Sequence, residues 1–372
     1  MQKILFIYGT RPEAIKMAPL IKRFKEYPDF FDVQVCLTGQ HRQMLDQLNS
    51  FFDIVADYDL NIMSPNQTLA DITIRCLSGL KKILNQSKPD MIFVQGDTTS
   101  VMAGALSAFY NQIPVAHVEA GLRSGCKYSP FPEEINRIIT GHISDYHFAP
   151  TNRAVENLKK EGIRDNVYMV GNTVIDALSL GLDIIKSGSA DRYEKFFSYL
   201  DFSQKVILVT GHRRESFGDS FENICNSMAY VANNYKNVHF VYPMHFNPNV
   251  REPVNRILKN INNVHLTEPL DYPYLIWLME KCFFVLTDSG GIQEEAPALG
   301  KPVLVMRDVT ERQEGIESGT AKLVGTEYVN LVRAMEELLN DEETYVAMAN
   351  AVNPYGDGTA SEQIVKVIKR RR

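Results

Sequence analysis

Strand-sized apolar runs alternate with longer amphipathic windows along the whole chain, and no other feature narrows the fold as much. Such alternation marks βα units joined into a mostly parallel sheet. In the first half it predicts strands at 3–8, 32–37, 91–95, 114–118, 145–149 and near 167–170, with helices at about 12–26, 41–51, 68–86, 99–111, 133–142 and 151–161. The segment 172–200 is helical in pattern but polar at 187–191, which predicts a connector. A second series follows, with strands at 205–210, 238–242, 264–266, 282–286, 302–305 and 322–324 and helices near 219–233, 248–259, 271–280, 291–299 and 328–339. With 372 residues the chain exceeds what one ordinary core serves. The expected class is α/β: two Rossmann-like domains, 1–171 and 172–354, with a central cleft.

Composition excludes several function classes. A net charge of −6 argues against general nucleic-acid binding. The longest apolar runs, such as 303–306, are strand-sized, so no membrane span is expected, and the N-terminus lacks a signal-peptide pattern. Five cysteines are scattered without metal-ligand spacing, so neither a disulfide framework nor a metal site is expected. The expected compartment is the cytoplasm.

In open parallel sheets ligands bind at the carboxyl ends of strands. Two loops there carry the strongest pattern: Gly9-Thr10-Arg11-Pro12-Glu13-Ala14-Ile15-Lys16 and Thr287-Asp288-Ser289-Gly290-Gly291-Ile292-Gln293-Glu294-Glu295. Each follows an apolar run and opens a helix, so its backbone N–H groups are expected to hold an anion. The first adds the cation Arg11, and the second adds Glu295, one turn in, as an acceptor for ribose hydroxyls. Other strand ends offer Asp97, Glu119, Glu133 and His212 as acid/base groups, with Lys16 and Arg213 as further cations. Each has a plainer reading, as a helix cap, a salt-bridge partner or a first-turn glutamate. Together, carboxylates facing cations suit proton movement beside a phosphorylated leaving group.

Several blocks in order then resemble one family, the non-hydrolysing UDP-N-acetylglucosamine 2-epimerases of bacteria. They are GTRPEAIKMAPL (9–20), TGQHRQMLDQ (38–47), QGDTTS (95–100), HVEAGLRS (117–124), PFPEEINR (130–137), TGHRRESFG (210–218), TDSGGIQEEAPALGKPVLVMRDVTERQEG (287–315) and NPYGDGTA (353–360). The resemblance implies the two-domain fold of GT-B nucleotide-sugar glycosyltransferases, a homodimer, and a last helix within 355–372 that packs back on the N-terminal domain. It implies epimerisation of UDP-GlcNAc to UDP-ManNAc at C2, by loss of UDP to a bound 2-acetamidoglucal and re-addition, in supply of surface polysaccharide synthesis. No metal or other cofactor is implied.

Matching to the family places acid/base work at Asp97, Glu119, Glu133 and His212, with the division of labour open and His212 either acid or diphosphate clamp. Arg11, Lys16, Ser289, Gly290, Gly291, Glu295 and Arg312 match UDP-sugar contacts. Gln40, His41, Gln43, Arg213 and His245 match a second site at which some members bind UDP-GlcNAc as activator. Asn66 departs from the arginine that some of those members carry. Three rivals remain: a hydrolysing relative releasing free ManNAc, an epimerase for another UDP-2-acetamido sugar, and a glycosyltransferase of the same fold.

Overall fold

The apolar runs fold into two separate sheets in which every strand pair is parallel. The computed structural model describes residues 1–39, 42–188 and 190–370. It divides into a first unit, residues 1–180 with the segment from Tyr355 onward, and a second unit, Gly181–Pro354. The division differs from the expected 171/172 break. It falls inside the helix Thr173–Ser187 because the first turns of that helix are tied to the returning segment. Asp176 Oδ1 accepts from the Ser361 N–H at 2.7 Å, and the Asn172 N–H donates to the Tyr355 carbonyl at 2.7 Å.

The first sheet contains β1 (Gln2–Tyr8), β2 (Phe31–Leu37), β3 (Tyr58–Asp59), β4 (Met91–Gln95), β5 (Val115–Val118), β6 (Tyr146–Ala149) and β7 (Val167–Met169). Their spatial order is β3-β2-β1-β4-β5-β6-β7. Helices cover such a sheet on both faces, which is why β1 and β4 read as continuous apolar runs rather than alternating ones. Phe6 stacks on its register partner Phe93 with centroids 4.9 Å apart, and Phe24 of the helix Arg11–Lys25 meets both rings edge-on. Each such pair contributes about 0.5–1.5 kcal/mol beyond its buried area. The last helix, Ala360–Lys369, buries Ile364, Val365 and Ile368 in this unit. Lys369 Nζ lies 3.9 Å from the Tyr27 ring centroid and 4.2 Å from that of Phe30.

The second sheet contains β8 (Lys205–Thr210), β9 (Val238–Pro243), β10 (Val264–Thr267), β11 (Phe284–Thr287), β12 (Val303–Val305) and β13 (Ala321–Leu323), in the order β10-β9-β8-β11-β12-β13. Phe240, Phe284, Phe221 and Met335 fill its core.

In both sheets the strand order reverses once, between β1 and β4 and between β8 and β11. Loops leaving two strands at a reversal diverge to opposite faces and open a crevice at the carboxyl ends. The first reversal therefore presents Gly9–Arg11 beside Gly96–Thr98. The second presents Gly211–Arg213 beside Asp288–Gly290. No helix among the described residues is long and apolar enough to cross a membrane.

Candidate active site

In the first unit, three of the sequence-predicted carboxylates gather around an arginine that sequence reasoning left unassigned. Arg137, buried in the helix Glu133–Ile143, directs Nε to Asp97 Oδ2 at 2.9 Å, Nη1 to the Glu119 carbonyl at 2.6 Å and Nη2 to Glu119 Oε1 at 2.8 Å. Its planar fork reaches both residues at once, which a lysine could not do. Glu119 is also paired with Lys16, and its Oε2 accepts from Asn172 Nδ2 at 3.2 Å. Glu119 lies one residue past β5 with φ of +63°, and its side chain is 4% exposed. A non-glycine residue in the left-handed region costs of order 1–3 kcal/mol and persists where its surroundings over-determine it. Here four contacts do so.

Asp97 is more open, at 29% side-chain exposure. Its carbonyl accepts from Asn136 Nδ2 at 2.9 Å. Glu133 opens the same helix as Arg137, one turn away. Burial raises its pKa above the ordinary carboxylate range, and the negative charge of Asp97 adds to this. Its Oε2 is buried with no hydrogen-bond partner among the described residues. Burial thus favours the protonated form of Glu133, beside the Asp97 carboxylate that Arg137 answers. The adjacent Glu134 is structural: its two oxygens accept the N–H groups of Ser124 and Gly125 at 2.8 and 3.0 Å.

The first loop corrects an expectation. The Gly9 and Thr10 N–H groups do not face an open anion site, because Glu13 folds back and accepts both, at 2.6 and 3.2 Å. Glu13 is 2% exposed, and burial raises its pKa. Thr10-x-x-Glu13 is a capping box, a signature present in the sequence. What this loop offers outward is side chain, Arg11 and Lys16, both half-buried on the helix Arg11–Lys25.

The second unit repeats the device. Asp288, 2% exposed at the end of β11, accepts the N–H groups of His212 and Arg213 on Oδ2, each at 2.7 Å. His212 Nδ1 lies 3.6 Å from Asp288 Oδ1, and its ring stacks on His245 with centroids 5.3 Å apart. Burial lowers the His212 pKa, the Asp288 charge opposes this, and the His245 and Arg213 charges reinforce it. His245 Nδ1 accepts the Asn247 N–H at 3.1 Å.

Ser289 is the N-cap of the helix Gly290–Ala298, and its own side chain makes no cap hydrogen bond. Its first N–H groups are the partial positive end of the helix. Arg312 lies over Gly290, whose Cβ would stand 3.5 Å from its guanidinium carbon, and the Glu295 carboxylate lies over Gly291. Arg312 is held there by Glu294, through Nε to Oε1 at 2.8 Å. Ser289, Gly290, Gly291, Glu295 and Arg312 therefore share one helix terminus, an arrangement suited to an anion with a hydroxyl-bearing group one turn along.

Of the residues matched to an activator site, Gln40 and His41 lie outside the described residues, and the side chain of Gln43 is likewise not described. Arg213 and His245 stand beside His212. Asn66 has φ of +56°, a turn conformation that asparagine tolerates. Among the described residues no group of three or more His, Cys, Asp or Glu is placed to hold a metal ion.

Arg137, Asn136, Asn172, Asp288 and Glu294 are the contributors that sequence reasoning missed. Arg137 had a usable signal, since it lies four residues after Glu133 and so shares its helix face.

Comparison with known proteins identifies the family. The family profile described as UDP-N-acetylglucosamine 2-epimerase matches residues 22–369. The UDP-N-acetylglucosamine 2-epimerase of Escherichia coli K12 is 54% identical over 373 aligned residues, covering 100% of this chain and 99% of that protein. The crystal structure of the Neisseria meningitidis UDP-GlcNAc 2-epimerase bound to UDP-GlcNAc superposes with a TM-score of 0.92 at 49% identity, covering 99% of this chain and 100% of that one. The Methanocaldococcus jannaschii UDP-GlcNAc 2-epimerase, in complex with UDP-GlcNAc and UDP, gives 0.82 at 35% identity, covering 99% and 100%. The chain belongs to the UDP-N-acetylglucosamine 2-epimerase family.

Proposed function

We propose that this protein interconverts UDP-GlcNAc and UDP-ManNAc without releasing free sugar. The observation that carries the reading is the array of Asp97, Glu119 and Glu133 around Arg137 and Lys16. A C2–H bond with no adjacent free carbonyl is poorly acidic, so direct deprotonation and return is slow. Elimination avoids this. A carboxylate takes the C2 proton, the C1–O bond breaks with its electron pair going to UDP, and a C1=C2 bond forms. Re-addition of UDP at C1, with a proton delivered to the other face of C2, completes the inversion and leaves no net change in atoms or charge.

The two carboxyl environments suit opposite roles. Asp97, partly open and held by Arg137, is the acceptor for the C2 proton, and Glu133, whose protonated form burial favours, is the donor on the return. Glu119 orients Lys16 and Arg137. UDP is assigned to Ser289, Gly290, Gly291, Glu295 and Arg312, with Arg11 answering the diphosphate. His212, more readily neutral than a free histidine, donates a hydrogen bond to the diphosphate rather than a full charge. A homodimer in the cytoplasm, feeding surface polysaccharide synthesis, and activation by a second UDP-GlcNAc near Arg213 and His245 complete the proposal.

Incubation with UDP-GlcNAc in deuterated water tests the reading. Deuterium at C2 of the recovered UDP-sugars, with a growing UDP-ManNAc fraction, is expected. Free ManNAc with stoichiometric UDP would instead place the protein among hydrolysing enzymes.

A further inference from the structure

His117 is the most deeply buried titratable group near the site, and the roles assigned above do not use it. It sits on β5 with no exposed surface, in register between Val94 of β4 and His147 of β6. Its Nε2 lies 2.8 Å from the Gly96 carbonyl oxygen. A carbonyl only accepts, so Nε2 carries the proton and Nδ1 is bare. Burial and the nearby Arg137 charge lower the His117 pKa to about 3, which keeps that tautomer neutral across the working range. Nδ1 is itself buried and has no hydrogen-bond partner among the described residues. A polar ring in that position costs stability that an apolar residue of like size would not. The Nε2 contact is what remains to account for it.

That contact falls on the turn presenting Asp97. Gly96 has φ of +86°, open to glycine and strained for other residues. The turn is held along its length: the Gly96 N–H donates to the Val118 carbonyl at 3.1 Å, the Gly96 carbonyl accepts from His117, the Asp97 carbonyl accepts from Asn136, and the Asp97 carboxylate meets Arg137. We infer that His117 is a positioning residue for the reaction, fixing the Gly96–Asp97 peptide so that the Asp97 carboxylate meets substrate in one orientation. The inference rests on the proposed role of Asp97 in C2 proton transfer. A shift of about 1 Å in a reacting group lowers turnover by about 100-fold without loss of binding.

Two amide replacements separate this from a packing role. The glutamine amide nitrogen stands where Nε2 does and still reaches Gly96, whereas the asparagine amide stops near Nδ1. Steady-state kinetics and C2 deuterium incorporation are measured for wild type, His117→Gln and His117→Asn, with UDP affinity and thermal unfolding alongside. The expected result is kcat within about threefold of wild type for the glutamine variant and lower by at least about tenfold for asparagine, with KM and UDP affinity for both within about twofold. Equal kcat losses in the two variants, a loss carried in KM, or wild-type kcat in His117→Asn would each overturn the inference. An asparagine variant that does not fold shifts the decision to His117→Met, which keeps the volume and lacks the donor; wild-type kcat there would also overturn it. Absence of C2 exchange in the wild type would defeat the proposed function instead.

Discussion

Arg137 holds Glu119 at both ends, donating to its main-chain carbonyl at 2.6 Å and to its carboxylate at 2.8 Å. The two side chains are 7% and 4% exposed, so the pair sits in low dielectric, where removing one partner strands the other. Arg137→Met is expected to lower stability by about 3–5 kcal/mol, read as a fall in denaturant midpoint, and to abolish turnover. Arg137→Lys is expected to recover part of the stability and little of the activity, because one ammonium cannot reach Asp97 and both ends of Glu119. Full activity in the lysine variant would show that charge alone suffices.

Glu133 gives a pH dependence whose sign follows from its surroundings. Burial and the Asp97 charge raise its folded pKa above the unfolded one. Such a group stabilises the fold fully below its unfolded pKa, and the advantage is lost as pH rises through the folded value. Wild type should therefore lose stability relative to Glu133→Gln as pH rises from the acid side through the range just above ordinary carboxylates. If Glu133 donates the C2 proton, wild-type kcat falls on the same rise. The glutamine variant is slow throughout, without that limb. Parallel urea midpoints for the two proteins at every pH would refute the assignment.

Much of the fold was legible because parallel strands are buried on both faces and leave uninterrupted apolar runs. Where that cause is absent the sequence was silent. β3 has two residues, half-buried and exposed, and no run at all. The helix Glu342–Ala349 buries none of its residues, so it carries no stripe to detect. The candidate site residues were visible as polar groups ending apolar strands, which is how Asp97, Glu119 and His212 stood out. Their partners were harder to see, because apart from its spacing from Glu133, Arg137 in the middle of a helix looks like any solvated cation until the strands are in place. The first loop was misread for a different reason: a glycine turn before a helix offers N–H groups equally to a ligand and to its own Glu13.

That loop supports a separate test. Glu13→Ala leaves two buried N–H groups without acceptors and is expected to cost about 1–2 kcal/mol, the range for a lost helix cap. Glu13→Gln keeps a neutral acceptor and should stay near wild type, since burial already disfavours the charged carboxylate. UDP affinity, measured calorimetrically, should be unaffected by the glutamine change and reduced by Arg11→Ala. The reverse pattern would return the loop backbone to a ligand-binding role.

The pairing of Asp288 with His212 makes the last prediction the most direct. Two N–H groups and one imidazole converge on one buried carboxylate, and its charge is what opposes the burial that lowers the His212 pKa. Asp288→Asn keeps an oxygen able to accept one or both N–H groups but removes that charge. The His212 pKa should therefore move further down, observed by titrating the imidazole nitrogens by NMR. The neutral acceptor also makes weaker hydrogen bonds to the loop than the carboxylate does, so UDP affinity should fall by about tenfold or less. A His212 pKa that does not move would mean that the Asp288 charge is not what this ring feels, leaving burial and the His245 and Arg213 charges to set it.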